Sequence, residues 1–294
     1  MAPKRQQVTT QPEDDKEEKT VESVAITCKT LNYNELQFGK EVGEGSFAKV
    51  HHGFWGQESV AIKVLQDDSD TSILDFTFEA QLLSQLNHPN IIKIHGSIDN
   101  PHYCLVMEYM PHCLFNVIQL RYKYDWPTIS YKIITGMARG LAYLHQNDIL
   151  HRDIKPANVL LDAEMNPKIC DFGLAAKLKD GTYNDAGLYG TMRYLPREVY
   201  MQQRYSKKSD IYSFGLTIFE IATGESALAD VPNTEVAISV IAGYKDYIPS
   251  NCDPKMAHLI NWCRSAADYR PTADQIVEYL EKPDKLVNSC CVIQ

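Results

Sequence analysis

Residues 151–158, His151-Arg152-Asp153-Ile154-Lys155-Pro156-Ala157-Asn158, gather a carboxylate, two cations and an amide in one polar stretch, and Asp171-Phe172-Gly173 follows, with Asp171 18 residues after Asp153. Asp153 can accept a proton, while Asn158 and Asp171 can offer oxygen ligands to Mg²⁺, an ion that prefers a few carboxylates plus substrate phosphate to an all-protein cage. Read alone, each segment is equally a polar turn between strands. Upstream, Gly43-Glu44-Gly45-Ser46-Phe47-Ala48-Lys49-Val50 can fold backbone amides over phosphates, or simply turn a hairpin. Val60-Ala61-Ile62-Lys63 carries a lysine that can act as a point charge for phosphate or be solvated. Glu79, on the helical pattern that follows, can pair with Lys63 or be one more charge on a helix face.

These residues need a scaffold, and the pattern supplies one. Alternating or β-rich runs predict strands near 36–38, 50–55, 59–65, 91–94 and 103–108, with a helix over 73–86 stopped by Asn87-His88-Pro89. After Pro111 the spacing is helical: 131–146 is amphipathic, 209–222 is apolar nearly all round and therefore buried, and 260–264 and 273–280 complete the set. A strand-rich first third and a helical remainder imply two lobes joined near 108–111, with a cleft suited to a ligand. Residues 1–30 hold five basic and six acidic side chains and few apolar ones, which predicts a disordered tail.

The 294 residues carry a net charge of −9. This argues against a nucleic-acid partner and against purely electrostatic attraction to anionic lipid. No apolar stretch reaches the roughly 18 residues a membrane span needs. The polar N-terminal residues predict no secretory leader, and Ala2 argues against N-myristoylation. Eight cysteines without a Cys-x-x-Cys pair predict reduced thiols in a cytoplasmic protein rather than a zinc or redox motif.

Taken in order, the segments resemble the eukaryotic protein kinase catalytic domain over residues 31–282. That resemblance implies an α+β, bilobal fold: a β-rich N-lobe with one helix, and a mainly helical C-lobe. It implies ATP and Mg²⁺ as cofactors and a protein as substrate. Gly43, Gly45 and Ala48 would cover the phosphates; Lys63 would contact the α and β phosphates, positioned by Glu79. Asp153 would orient the substrate hydroxyl and accept its proton, and Asn158 and Asp171 would hold two Mg²⁺ ions. Val50, Ala61 and Leu160 would sandwich adenine, Glu108 and Met110 would offer backbone hydrogen bonds, and Met107 would stand at the back of the pocket. Asp210 resembles the acid that anchors the catalytic loop; Glu198 and Arg270 resemble the pair that ties down the activation segment.

Lys155 and Thr191 resemble the lysine and threonine that Ser/Thr kinases place beside the catalytic aspartate. Residues 87–93, 104–109 and 168–173 are similar to the tyrosine-kinase-like branch, in particular to MAP kinase kinase kinases such as the transforming-growth-factor-β-activated kinase. Departures from the pattern are Ala48 for the third glycine, Pro196-Arg197 before Glu198, Arg264 for a tryptophan, and no glycine in Pro111-His112-Cys113. The main alternative is a pseudokinase scaffold that binds partners without transferring phosphate. A small-molecule kinase is a third class, against which the segment 191–198 argues.

Arg152 precedes Asp153, and Thr182, Tyr183 and Tyr189 lie between Asp171 and Glu198. A phosphate on one of them could pair with Arg152 and order the segment. Cys170, next to Asp171, reads as a small buried hydrophobe that an electrophile held in the ATP pocket could label. Cys291-Val292-Ile293-Gln294 matches the prenylation signal C-a-a-X, with Cys290 as a second acylation candidate, so peripheral membrane association is expected.

Overall fold

The computed structural model describes residues 28–45, 48–67, 69–178, 183–184 and 187–282. Thr182, Cys290 and Cys291 lie outside the described residues.

Five antiparallel strands form one sheet: β1 (Leu36–Glu44), β2 (Ala48–Trp55), β3 (Glu58–Leu65), β4 (Ile94–Ile98) and β5 (Cys104–Glu108), in the order β1-β2-β3-β5-β4. The period of two along β3 decides which side chains can act. Val60 and Ile62 are fully buried in a core shared with Leu31, Leu36 and Val106, so Ala61 and Lys63 fall on the opposite face. The register sets Val50 opposite Lys63 on one side and Met107 opposite Ala61 on the other. Helix α1 (Asp70–Gln85) starts at Ser69, whose hydroxyl accepts from the Ser72 N–H, and buries Phe76, Glu79, Ala80, Leu82 and Leu83.

The helical lobe follows: β6 (His112–Cys113), α2 (Leu114–Gln119), α3 (Trp126–Gln146), β7 (Ile149–Leu150), β8 (Val159–Leu161) and β9 (Pro167–Ile169). After them come β10 (Ala176–Lys177), β11 (Tyr183–Asn184), α4 (Arg197–Gln202), β12 (Arg204–Tyr205), α5 (Lys207–Thr223), α6 (Val236–Ile241), α7 (Pro254–Cys263) and α8 (Ala273–Glu281). As its all-round apolar sequence predicts, α5 is buried from Ser209 through Ile221. It is started by a capping box at Ser206 and stopped by Gly224 in the left-handed region. Among the described residues no helix is long and apolar enough to cross a membrane.

Two expectations shift. The strand predicted at 91–94 is displaced: β4 begins at Ile94, and the residues before it pair with the other lobe instead. Ile92 N–H donates to Ile169 O and Ile169 N–H to Asn90 O, both at 2.9 Å. The apolar run Ile91-Ile92 is buried against the C-lobe core, so its β-like composition serves a joint rather than a sheet. Residues 28–30, expected to lie in the N-terminal tail, are placed against the sheet. Lys29 O accepts from Ser97 N–H, Leu31 N–H donates to Ser97 O, and Cys28 packs on Phe76, Ala80 and Leu105. One thiol and two backbone bonds are enough to hold 28–30 on the sheet edge.

Candidate active site

The sheet and α1 bring Lys63 and Glu79 together: Lys63 Nζ lies 2.9 and 2.7 Å from the two Glu79 carboxylate oxygens and 3.3 Å from Asp171 Oδ1. Burial opposes a charge on Lys63, but Glu79 and Asp171 outweigh it and raise its pKa, so the ammonium stays protonated. A buried pair of this kind would be left with one uncompensated charge if either partner were removed.

On the C-lobe side, Asp153 is the hub. Lys155 Nζ sits 2.7 Å from Asp153 Oδ2 and donates to Thr191 Oγ1 at 2.6 Å. Thr191 N–H donates to Asp153 Oδ1 at 2.8 Å, and Asn158 Nδ2 donates to both Asp153 O (2.9 Å) and Oδ2 (2.8 Å). Desolvation pushes the Asp153 pKa up, yet Lys155, Thr191 and the charge of His151 more than offset it and leave it below the usual carboxylate range. Asp153 is therefore ionised at neutral pH, with its orientation fixed by three neighbours.

The loop bearing these groups hangs from α5. Asp210 Oδ2 accepts from His151 N–H (3.0 Å) and Oδ1 from Arg152 N–H (2.9 Å), while His145 Nε2 lies 3.0 Å from Oδ2. Burial raises the Asp210 pKa, but the His145 hydrogen bond and charge, with His151, carry it downward overall. His151 in turn donates from Nε2 to Cys170 O (2.9 Å) and meets the edge of fully buried Phe172 at 5.0 Å. Asp171 sits between them with φ of 62° and Arg152 with φ of 66°, left-handed values that cost a non-glycine residue about 1–3 kcal/mol and concentrate at working sites.

The residues fit ATP and a divalent metal. With both hydrogens of Asn158 Nδ2 directed at Asp153, the amide oxygen is the atom Asn158 presents elsewhere. Asp171 is half exposed toward the cleft and held only from one side by Lys63. Asn158 and Asp171 would hold a divalent metal through their oxygens, with substrate phosphate and water supplying the rest. Among the described residues, a Cβ at Gly43 would meet only Val50 atoms at 3.8 Å or beyond, and one at Gly45 only Ala48 O at 3.6 Å, so no described neighbour demands a glycine at either position.

Ala48 opens β2, and Gly45 N–H donates to Ala48 O at 2.8 Å. Leu160 lies on β8, opposite Cys113 and Lys168, and Met110 is buried in the C-lobe core. Glu108 N–H donates to Lys93 O (3.0 Å), so an adenine hydrogen bond at this residue would fall to its carbonyl. Its carboxylate accepts from Lys93 N–H (2.7 Å) and pairs with Lys168 (2.9 Å), a brace with no local sequence signal. Burial, with Asp171 beside it, pushes the Cys170 thiol well up.

Glu198 and Arg270 form the expected pair, at 2.5 and 3.1 Å, with Pro196 capping α4 in extended conformation and Arg197 directed to solvent. The Glu198–Arg270 pair is thus formed with Pro196-Arg197 preceding it. Arg264 is buried over the Phe219 ring at 5.7 Å, covering the face where the pattern has tryptophan. Sequence reasoning did not find His145, which has no signal beyond ending a helix, or Tyr205, which is described below.

The order of these parts along one chain is matched by a family model. The protein tyrosine and serine/threonine kinase model covers residues 36–280. The chain belongs to that family. This kinase domain is similar to a probable serine/threonine-protein kinase of Dictyostelium discoideum, 34% identical over 274 residues, which is 88% of this chain and 20% of the relative. It is also similar to the Arabidopsis thaliana serine/threonine-protein kinase STY46 (32% over 267 residues; 87% of this chain, 46% of the relative). A third relative is the dual specificity protein kinase splA of Dictyostelium discoideum (31% over 293 residues; 88% and 12%). The chain thus spans less than half the length of each of these relatives.

Proposed function

We propose that the protein transfers the γ-phosphoryl group of Mg²⁺-ATP to Ser/Thr hydroxyls of protein substrates. The observation that carries this is the Lys155 ammonium placed between Asp153 (2.7 Å) and Thr191 (2.6 Å). Bound there, Mg²⁺ would neutralise developing phosphate charge from Asn158 and Asp171. The chain's own residues do the rest. Lys63, fixed by Glu79, binds the α and β phosphates; Gly43 and Gly45 allow the backbone to close over them. Asp153 orients the acceptor hydroxyl and takes its proton. Lys155 screens the incoming γ-phosphate from the Asp153 charge, and Thr191 holds both in register. Val50, Ala61 and Leu160 enclose adenine, with Met107 behind it.

The test is radiolabelled ATP and Mg²⁺ with matched Ser, Thr and Tyr peptides, comparing wild type with Asp153→Asn. Transfer to Ser or Thr that the variant lacks is expected. Transfer to none overturns the reading in favour of a scaffold, and transfer to Tyr as well would follow the dual-specificity relative.

We further propose a cytoplasmic signalling role with peripheral membrane attachment through prenylation of Cys291 and acylation of Cys290. The support is the sequence match at residues 291–294 alone. Mass spectrometry of the C-terminal peptide reads it directly, and equal membrane partitioning of Cys291→Ser and wild type would sink it.

A further inference from the structure

Arg152 is 8% exposed, and the acid nearest in sequence, Asp153, is turned toward Lys155 instead. Its backbone N–H is held by Asp210, and its Nε donates to Leu174 O at 2.5 Å. Among the described residues, three aromatic rings stand around the guanidinium. Its carbon lies 4.6 Å from the ring centre of Tyr183, 4.5 Å from that of Tyr189 and 5.5 Å from that of Tyr205. Among the described residues Arg152 makes no ion pair, and its buried Nη1 has no hydrogen-bond partner. A guanidinium taken out of water needs compensation, and π faces supply it.

The three rings come from two places that must meet for the segment to be seated. Tyr183 and Tyr189 belong to the activation segment. Tyr205, 1% exposed, belongs to β12 at the edge of the C-lobe. Its hydroxyl accepts from Tyr189 N–H (2.5 Å) and donates to Tyr189 O (2.9 Å), and β11 sets Tyr183 opposite Tyr205. The next residue, Gly190, has φ of 101°, and a Cβ there would stand 2.4 Å from Arg152 O. Thr191 follows with its N–H on Asp153. The path from ring cage to catalytic carboxylate is three consecutive residues.

We propose that Tyr183, Tyr189 and Tyr205 are positioning residues that hold Arg152, and with it the activation segment, in working register without a phosphate. The sequence allows a phosphorylated hydroxyl to pair with Arg152; in the structure three ring faces stand against it. The proposal rests on the reading of the chain as a phosphoryl-transfer enzyme, and its test separates the two.

Full-length protein is treated with a protein phosphatase, freed of it, and checked for absence of phosphate by intact mass. Wild type, the double variant Tyr183→Phe/Tyr189→Phe and the double variant Tyr183→Leu/Tyr189→Leu are compared for kcat, KM for ATP and amide hydrogen exchange over residues 187–205. Phosphate-free wild type should keep activity within about twofold of the untreated protein. The phenylalanine pair, which keeps both π faces, should stay within about threefold; the leucine pair should lose about tenfold or more in kcat with little change in KM for ATP. Exchange should accelerate in the leucine pair only. A tenfold loss on dephosphorylation, or leucine and phenylalanine pairs that behave alike in rate, overturns the cage. If untreated wild type transfers no phosphate, the functional reading falls, and the exchange data decide the cage alone: faster exchange with leucine than with phenylalanine upholds it, equal exchange overturns it.

Discussion

Asp153 works as a carboxylate with little basicity of its own, because Lys155 and Thr191 stabilise its charged form. Since its pKa lies below the usual 3.8, its charge and the interactions made by that charge are present above that value and are lost as pH falls through the lower folded value. Lys155→Ala removes a hydrogen bond and a neighbouring charge, so burial should then draw the Asp153 pKa upward. The acid limb of the kcat/KM profile should move to higher pH in that variant, and an unmoved limb would contradict the assignment. Asp153→Asn should cost about 10²–10⁴ in kcat. Lys63→Met, which strands Glu79 in a buried position, should cost about 10² or more in kcat/KM together with measurable stability. Lys63, Asp153 and Lys155 were legible in the sequence because the site's chemistry is compressed into short contiguous runs, 43–50, 60–63, 151–158 and 171–173. Glu108 and Lys168 were not, since a pair 60 residues apart leaves no trace in local spacing.

At the scale of elements, α5 matters most, and its ends are set by its sequence. Gly224 stops it with φ of 76°, and a Cβ there would lie 1.3 Å from Arg121 Nη1, whose Nη2 bonds Thr223 O. Gly224→Ala should destabilise by about 1–2 kcal/mol in urea unfolding, from backbone strain and a displaced arginine. Adding Arg121→Ala should relieve only the second part. Helices with long periodic patterns, 131–146 and 209–222, were readable because burial of one face or all faces imposes its period on the residues. The strand expected at 91–94 failed for a physical reason. Ile91 and Ile92 are as apolar as any strand residue, and composition does not say whether their backbone partners lie in the sheet or in β9.

For the molecule as a whole, the two lobes are joined at Glu108 and Asn90 as well as through Lys63 and Asp171. Glu108 joins the backbone of Lys93 to the side chain of Lys168, and Asn90 Nδ2 donates to Pro167 O at 2.9 Å. Lys168→Met should loosen this joint. A several-fold rise in KM for ATP is expected, with about 1 kcal/mol or less lost in stability because the pair is part-exposed. Steady-state kinetics beside a thermal melt would separate the two effects, and a large fall in stability with KM unchanged would show the pair to be structural only.

Asp210 carries a consequence for how the protein comes apart. One buried carboxylate in the most enclosed helix holds the backbone of His151 and Arg152, while His145 reaches it from α3. The catalytic loop therefore has no independent melting step: its amides should exchange with solvent only at the rate of global opening, as slowly as those of α5 itself. Partial unfolding would begin at the sheet edge, and enzyme that has lost its loop should already have lost its core.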